Sequence, residues 1–217
     1  MDPIAAQLAD LLRNVDGLEW SDAWHQDIVG WSRDILPYYR RIVPSLPEDA
    51  HCIEVGCYFG RSLIFLAEEL VRCGKHRSEV HGFDPGQEDA GHQYPPAQVA
   101  PWGSANVMWN SFPQLVANLE KLDLDVVRLI SIFREASPGA ARFYDDDSLD
   151  LVFLDGDHRE DSVRADIEAW LPKVKKGAGF LSGHDYGHPL YVGVKAAVDR
   201  VFGDRVAIYG TVWEVRP

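Results

Sequence analysis

Cysteine is scarce in this 217-residue chain, which has only Cys52, Cys57 and Cys73. Three thiols cannot build a disulfide framework, and their spacing fits no metal-binding pattern. They read as buried or free thiols of a reducing compartment. Basic residues are outnumbered, 21 Lys and Arg against 34 Asp and Glu, for a net charge of −13. A nucleic-acid substrate calls for a basic footprint on the phosphates, and no basic patch is visible. Long apolar runs are missing too, none approaching the roughly 20 residues of a membrane span. The opening MDPIAAQLADLL carries an acid where a secretory signal has its positive region. These absences set the expectation of a cytoplasmic, soluble protein with no nucleic-acid and no membrane partner. No repeat, low-complexity tract or linker composition divides the chain, whose length suffices for one sizeable core.

What is present alternates. The first 45 residues read as helical, PIAAQLADLLRNV and then SDAWHQDIVGWSRDILPYYRRIV, with Ser21 and Asp22 suiting a helix start and PSLPED stopping the second helix. Strand signals follow at HCIEVG, EVHGFDP, DVVRLISI, LDLVFLD and GAGFLSGHD. Between them lie helical segments SLIFLAEELVRCG, FPQLVANLEKL, SPGAARFY and EDSVRADIEAWLPKV. VGVKAAVDRVFG adds a last helix, and RVAIYG with TVWEVRP a closing hairpin that supplies an antiparallel edge strand. Five strand-to-helix alternations predict an α/β fold, a mostly parallel sheet with helices on both faces. In such sheets ligands gather at the carboxyl ends of the strands, and polar clusters stand after strands one, two, four and five. Residues 85–106, with four prolines and no periodicity, have the length of a lid or binding segment.

The turn EVGCYFGRS puts Gly56 and Gly60 between the first strand and its helix, where bare backbone and free N–H groups can approach a ligand. Asp84 ends the second strand 28 residues after Gly56, the place of an acid that grips a ribose diol. Together they favour an adenosine-containing cofactor. Dinucleotide enzymes use Gly-x-Gly-x-x-Gly, and the Gly56-x-x-x-Gly60 spacing departs from it. A Gly-x-x-x-x-Gly-Lys-Ser/Thr loop for a triphosphate is also missing.

The fourth strand, LVFL, breaks into Asp155, Gly156, Asp157 and His158, and the fifth ends in His184 and Asp185, 30 residues after Asp155. Neighbouring strand ends lie about 5 Å apart, so Asp155, His184 and Asp185 can converge on one divalent cation. Oxygen donors suit Mg2+, and the imidazole brings Mn2+ or Fe2+ into consideration. A hydroxyl coordinated there would lose its proton more readily, with His158 or Asp157 as the acceptor of that proton.

These residues carry a resemblance. E-V-G-x-x-x-G-x-S, an acid ending the second strand and a closing hairpin resemble the class I S-adenosylmethionine-dependent methyltransferases. The segment DLVFLDGDH…SGHDY…VFG is similar to the bacterial metal-dependent O-methyltransferases of the mycinamicin and macrocin type, with catechol O-methyltransferase more distant. The resemblance implies a Rossmann-like seven-stranded sheet whose last strand is antiparallel, a helical N-terminal extension over 1–46, and a methyltransferase domain over 47–217 with a lid insertion at about 85–107. It implies S-adenosylmethionine held by Glu54, Gly56, Tyr58, Gly60, Ser62, Asp84, Ser137 and Asp155, with Ser137 near the adenine and Asp84 on the ribose. It places Mg2+ or Mn2+ on Asp155, His184 and Asp185, where His184 replaces the family's acid or amide, and a base at His158, with Asp157 as the other candidate. The implied partner is a small hydroxylated acceptor such as a sugar or polyketide. His92, Tyr94, Trp102 and Trp109 are candidates to face it, while Trp20, Trp24 and Trp31 suit core or homodimer contacts. The alternatives are a metal-independent methyltransferase and a non-catalytic S-adenosylmethionine-binding protein.

Overall fold

The structure, a computed structural model, describes residues 28, 30, 33–86 and 111–217. Trp20, Trp24, Trp31, His92, Tyr94, Trp102 and Trp109, the first expected helix and the lid segment beyond Gly86 lie outside the described residues.

Strand β4, Leu151–Leu154, is apolar and buried at every position. A strand sealed on both faces belongs in the middle of a sheet. It pairs in parallel with β1 (His51–Val55) on one side and with β5 (Phe180–Gly183) on the other. Parallel β2 (Glu79–Phe83) and β3 (Ile130–Phe133) continue the sheet beyond β1. The hairpin of β6 (Ala207–Tyr209) and β7 (Val212–Val215) completes the order β3-β2-β1-β4-β5-β7-β6. The last strand is antiparallel to both neighbours and its hairpin supplies the edge strand, as expected. Fully buried β7 takes the inner place, and the more exposed β6 is left outside.

Six helices flank the sheet among the described residues: α1 (Ile35–Ile42), α2 (Arg61–Arg72), α3 (Phe112–Leu119), the one-turn α4 (Leu124–Val127), α5 (Glu160–Trp170) and α6 (Val192–Phe202). The pleat of β4 divides the core between the two faces. Leu151 and Phe153 join Tyr38, Tyr39, Leu63, Leu66 and Leu115 under α1, α2 and α3. Val152 and Leu154 join Ile167, Trp170, Val198 and Trp213 under α5 and α6. Cys52 and Cys57 are buried and Cys73 is half-buried, all as free thiols.

Two expected elements shift. DVVRLISI divides into α4 and a later strand β3, because the Val126 and Val127 N–H groups bond back to the Asp123 carbonyl while β3 starts where Ile130 registers with Val80. The helix expected to reach Val43 begins only at Ile35 among the described residues. Before it, Ile28 and Gly30 lie in bends and Arg33 and Asp34 in a turn, with the Gly30 carbonyl accepting Arg61 Nη1 at 2.8 Å.

Candidate active site

The direction of strand order reverses between β1 and β4, and the polar residues collect at that reversal. Gly56 follows β1 at φ +84°, and a Cβ there would lie 2.0 Å from the Asp155 carbonyl oxygen. Only glycine lets the β1 turn press against the end of β4. Tyr58 also adopts a left-handed conformation, φ 47°, which bulky residues rarely do. Its N–H donates to Asp84 Oδ2 at 2.8 Å, while Gly86 N–H donates to Oδ1 at 2.6 Å. Burial raises the Asp84 pKa, and these backbone donors offset part of the rise.

Glu54 lies under the turn. Its Oε2 accepts the Tyr39 hydroxyl at 2.9 Å and its Oε1 the Ser62 hydroxyl at 2.8 Å. Burial pushes its pKa to about 8, against the pull of both hydrogen bonds. Ser137 faces α5, donating to Asp166 and accepting the Trp170 indole N–H at 2.9 Å.

Around the ends of β4 and β5, donor atoms of Asp155, His158 and Asp185 all lie within 4.8 Å of one another. His158 Nε2 is 2.8 Å from Asp185 Oδ2. His184, expected as a metal ligand, is not in this trio. Its Nε2 lies 3.1 Å from Asp34 Oδ1 and 3.0 Å from Thr211 Oγ1, and its Nδ1 lies 3.5 Å from Asp155 Oδ1 and 3.4 Å from Asp185 Oδ1. Carboxylates near both ring nitrogens favour the imidazolium, a form with no lone pair to give. Burial alone would lower its pKa, but Asp185, Asp155 and Asp34 raise it well above the usual value. Asp185 is held far below the carboxylate range, its burial outweighed by His184 and His158. Asp157 is outside the trio as well. It accepts the Arg159 N–H at 2.9 Å, Arg159 Nε at 2.6 Å and the Ser162 hydroxyl at 2.9 Å. Burial would raise its pKa, yet these donors bring it to about 2.

Several participants carried no signal in the sequence. Asp34, buried beside α1, accepts the Thr211 hydroxyl at 2.7 Å and its N–H as well as facing His184. Tyr191 stacks between His158 and His188, ring centres 4.0 and 4.5 Å apart. Gly193 permits this, because a Cβ there would come 2.4 Å from the His158 carbonyl oxygen. The dense GHDYGHPLY was the only hint for the stack; Asp34 meets His184 across 150 positions and gave none.

A family model described as a methyltransferase domain matches residues 53–186, well over half of the chain. The chain belongs to this methyltransferase family. It is an S-adenosylmethionine-dependent methyltransferase of the class I fold. No curated protein sequence matches the chain significantly. Among solved structures, the methyltransferase is similar to the O-methyltransferase NovP, 20% identical over 85% of this chain and 79% of that one, TM-score 0.57. CalS11, a TDP-rhamnose 3′-O-methyltransferase of calicheamicin biosynthesis, is 16% identical over 98% of this chain and 93% of that one, TM-score 0.52. A putative rRNA methylase from Clostridium thermocellum is 14% identical over 86% and 97%, TM-score 0.55. At these identities the likeness is one of fold.

The methyltransferase's crevice fits the cofactor of its family. Gly56, Tyr58, Asp84, Ser137 and Asp155 are all half-buried, following β1, β2, β3 and β4. Asp84 accepts backbone N–H groups of Tyr58 and Gly86, with Cys57 also contributing, and retains acceptor capacity of the kind a ribose diol needs. Glu54, Gly60 and Ser62 are buried under the turn and shape it from below.

Proposed function

We propose that this methyltransferase methylates a hydroxyl of a small metabolite, with a divalent cation held by Asp155 and Asp185 and with His158 as the base. The observation that carries this reading is the convergence of Asp155, His158 and Asp185 within 4.8 Å beside the cofactor turn. Bound S-adenosylmethionine supplies an electrophilic methyl on a sulfonium, and a Mg2+ or Mn2+ ion supplies Lewis acidity toward the acceptor oxygen.

The residues supply charge and position. Asp34, Asp155 and Asp185 bring three negative charges to the cluster, and the His184 imidazolium cancels one. Burial would lower the His158 pKa, but Asp185 and Asp155 raise it. A dication on those acids would oppose their pull, and with His158 then neutral the remaining two charges match it. A neutral His158 next to that position is a base for the hydroxyl proton. The Tyr191 stack fixes its ring, so the proton acceptor is oriented before the acceptor arrives. Gly56, Tyr58, Asp84 and Ser137 line the cofactor's place, Asp84 facing the ribose. The net charge of −13 supports a small-molecule acceptor over RNA, although rRNA methylases share the fold. The names of NovP and CalS11 support oxygen as the methylated atom and a sugar or other natural product as its carrier.

The test is methyl transfer to a panel of hydroxylated sugars and polyketides, after chelation and again after Mg2+ or Mn2+ is restored. Activity should vanish and return, and Asp155→Ala with Asp185→Ala should abolish it. Full turnover in chelator would overturn the metal role. A second, metal-independent reading has its own observation: His184 Nδ1 already lies 3.5 and 3.4 Å from both acids, so an internal cation can occupy them.

A further inference from the structure

His188 lies outside the trio of Asp155, His158 and Asp185, yet it is only 7% exposed. Its backbone N–H donates to the Asp185 carbonyl at 3.1 Å, and its own carbonyl accepts the Tyr191 N–H at 3.0 Å. Two turns end to end thus span Asp185 to Tyr191. Asp185 opens them at φ 60° and Gly187 follows at φ 75°, both in the left-handed region. The ring is fixed as well, because its Nδ1 accepts the Leu190 N–H at 3.2 Å. That bond needs a lone pair, so the imidazole is neutral, and burial lowers its pKa in the same sense.

A side chain that takes a backbone N–H two residues on can serve only to close its loop, as Asn and Asp do. That use asks nothing of the ring's plane. The plane is nevertheless set: it lies 25° from the Tyr191 ring with centres 4.5 Å apart, and Tyr191 lies 19° from His158 at 4.0 Å. Three flat rings form one pile, with Tyr191 in the middle. At the inner end, His158 Nε2 is 2.8 Å from Asp185 Oδ2. A swing of the Tyr191 ring away from His158 runs into His188. A reacting group needs just such support, from side chains whose own positions are locked.

We infer that His188 is a positioning residue for the candidate base: its ring backs Tyr191 and so keeps the His158 imidazole in the plane that brings Nε2 to Asp185. The inference rests on the reading of His158 as the base. It makes Asp185 to Tyr191 one unit, in which the turn that carries an acid of the site also carries the brace for the base.

Two substitutions separate the brace from the local turn. His188→Phe keeps a flat ring and loses the Nδ1 acceptor, whereas His188→Asn keeps a side-chain acceptor and loses the ring. NMR of the full chain needs no ligand and is read at the His158 ring protons, assigned by their loss in His158→Gln. The upfield shift that stacking on Tyr191 gives them should persist in the Phe variant and shrink in the Asn variant. In methyl transfer from S-adenosylmethionine to the panel of sugars and polyketides, kcat should stay within about threefold for Phe. For Asn it should fall about tenfold or more, with the cofactor's KM unchanged in both. His188→Tyr and His188→Ala take their places if thermal melts show either variant unfolded. The opposite order, or a His158 shift that neither variant moves, would overturn the inference. Turnover lost in His158→Ala but equal in the two His188 variants would overturn the inference alone. Turnover retained in His158→Ala would overturn the base reading, and with it the role of His188 in the reaction.

Discussion

Glu54, one residue before the end of β1, has each carboxylate oxygen on a hydroxyl, Tyr39 on one side and Ser62 on the other. Its pKa of about 8 against an ordinary 4.5 means that the folded protein prefers the protonated form. The stability this confers is complete below about pH 4.5 and is lost as pH rises toward 8, at up to about 1.4 kcal/mol per pH unit. Glu54→Gln retains a carbonyl for the hydroxyls and does not titrate. Thermal melts of the two proteins should show the wild type losing several degrees relative to the variant between pH 5 and pH 8. A gap independent of pH would show that Glu54 ionises normally. The same scale decides between the two candidate bases. Asp157, near pKa 2 and spent on Arg159 and Ser162, is a poor proton acceptor. Asp157→Asn should keep turnover within about threefold, whereas His158→Ala should cost about 100-fold or more. Steady-state methyl transfer measures both, and equal losses would return the choice to open.

At the scale of the element, the β1 turn is set by what it touches. Gly56 and Gly74 both have positive φ, but a Cβ at Gly56 strikes the Asp155 carbonyl whereas one at Gly74 meets nothing within 4 Å. Gly74→Ala should then cost only its backbone strain, about 1 kcal/mol. Gly56→Ala should cost on the order of 3 kcal/mol or more, because β1 and β4 must separate at the crevice. At about 2–4 °C per kcal/mol for a domain of this size, thermal melts resolve the two. Equal losses would mean that the β1–β4 approach is compliant. Local pattern carried most of the elements: apolar LVFL could only be a central strand, and Gly56, Asp84, Asp155 and Asp185 stood at strand ends where their chemistry was visible. It failed where distant contacts decide. Val126 and Val127 look like strand residues, yet the Asp123 carbonyl captures them into α4. His184 stands beside Asp185 in sequence, yet its contacts with Asp34 and Thr211 come from distant segments and gave no local signal. Neither partner lies near it in sequence.

For the whole molecule the question is how a chain of net charge −13 carries a buried knot of acids. Asp34 and Asp185 are almost wholly buried, and Asp155 opens to the crevice. The fold brings Asp34 from before α1, Asp155 from β4, Asp185 from β5 and Thr211 from the β6–β7 hairpin to one place, so the state of this knot is felt by the entire sheet. A cation that completes it should stabilise the protein globally, by about 2.7 kcal/mol at 100 times its dissociation constant. For this chain length that is roughly 5–10 °C in Tm. Sodium chloride at matched ionic strength must run alongside, because any salt relieves self-repulsion in so acidic a molecule. Mn2+ should raise Tm beyond the sodium control, and Asp155→Asn should remove that excess while keeping the common salt response. His158→Ala should keep the excess if His158 is the base, and lose it if His158 is a ligand. Should Mn2+ and the sodium control coincide in the wild type, the His184 imidazolium alone completes the acid pair, and the metal-independent reading of the site takes precedence.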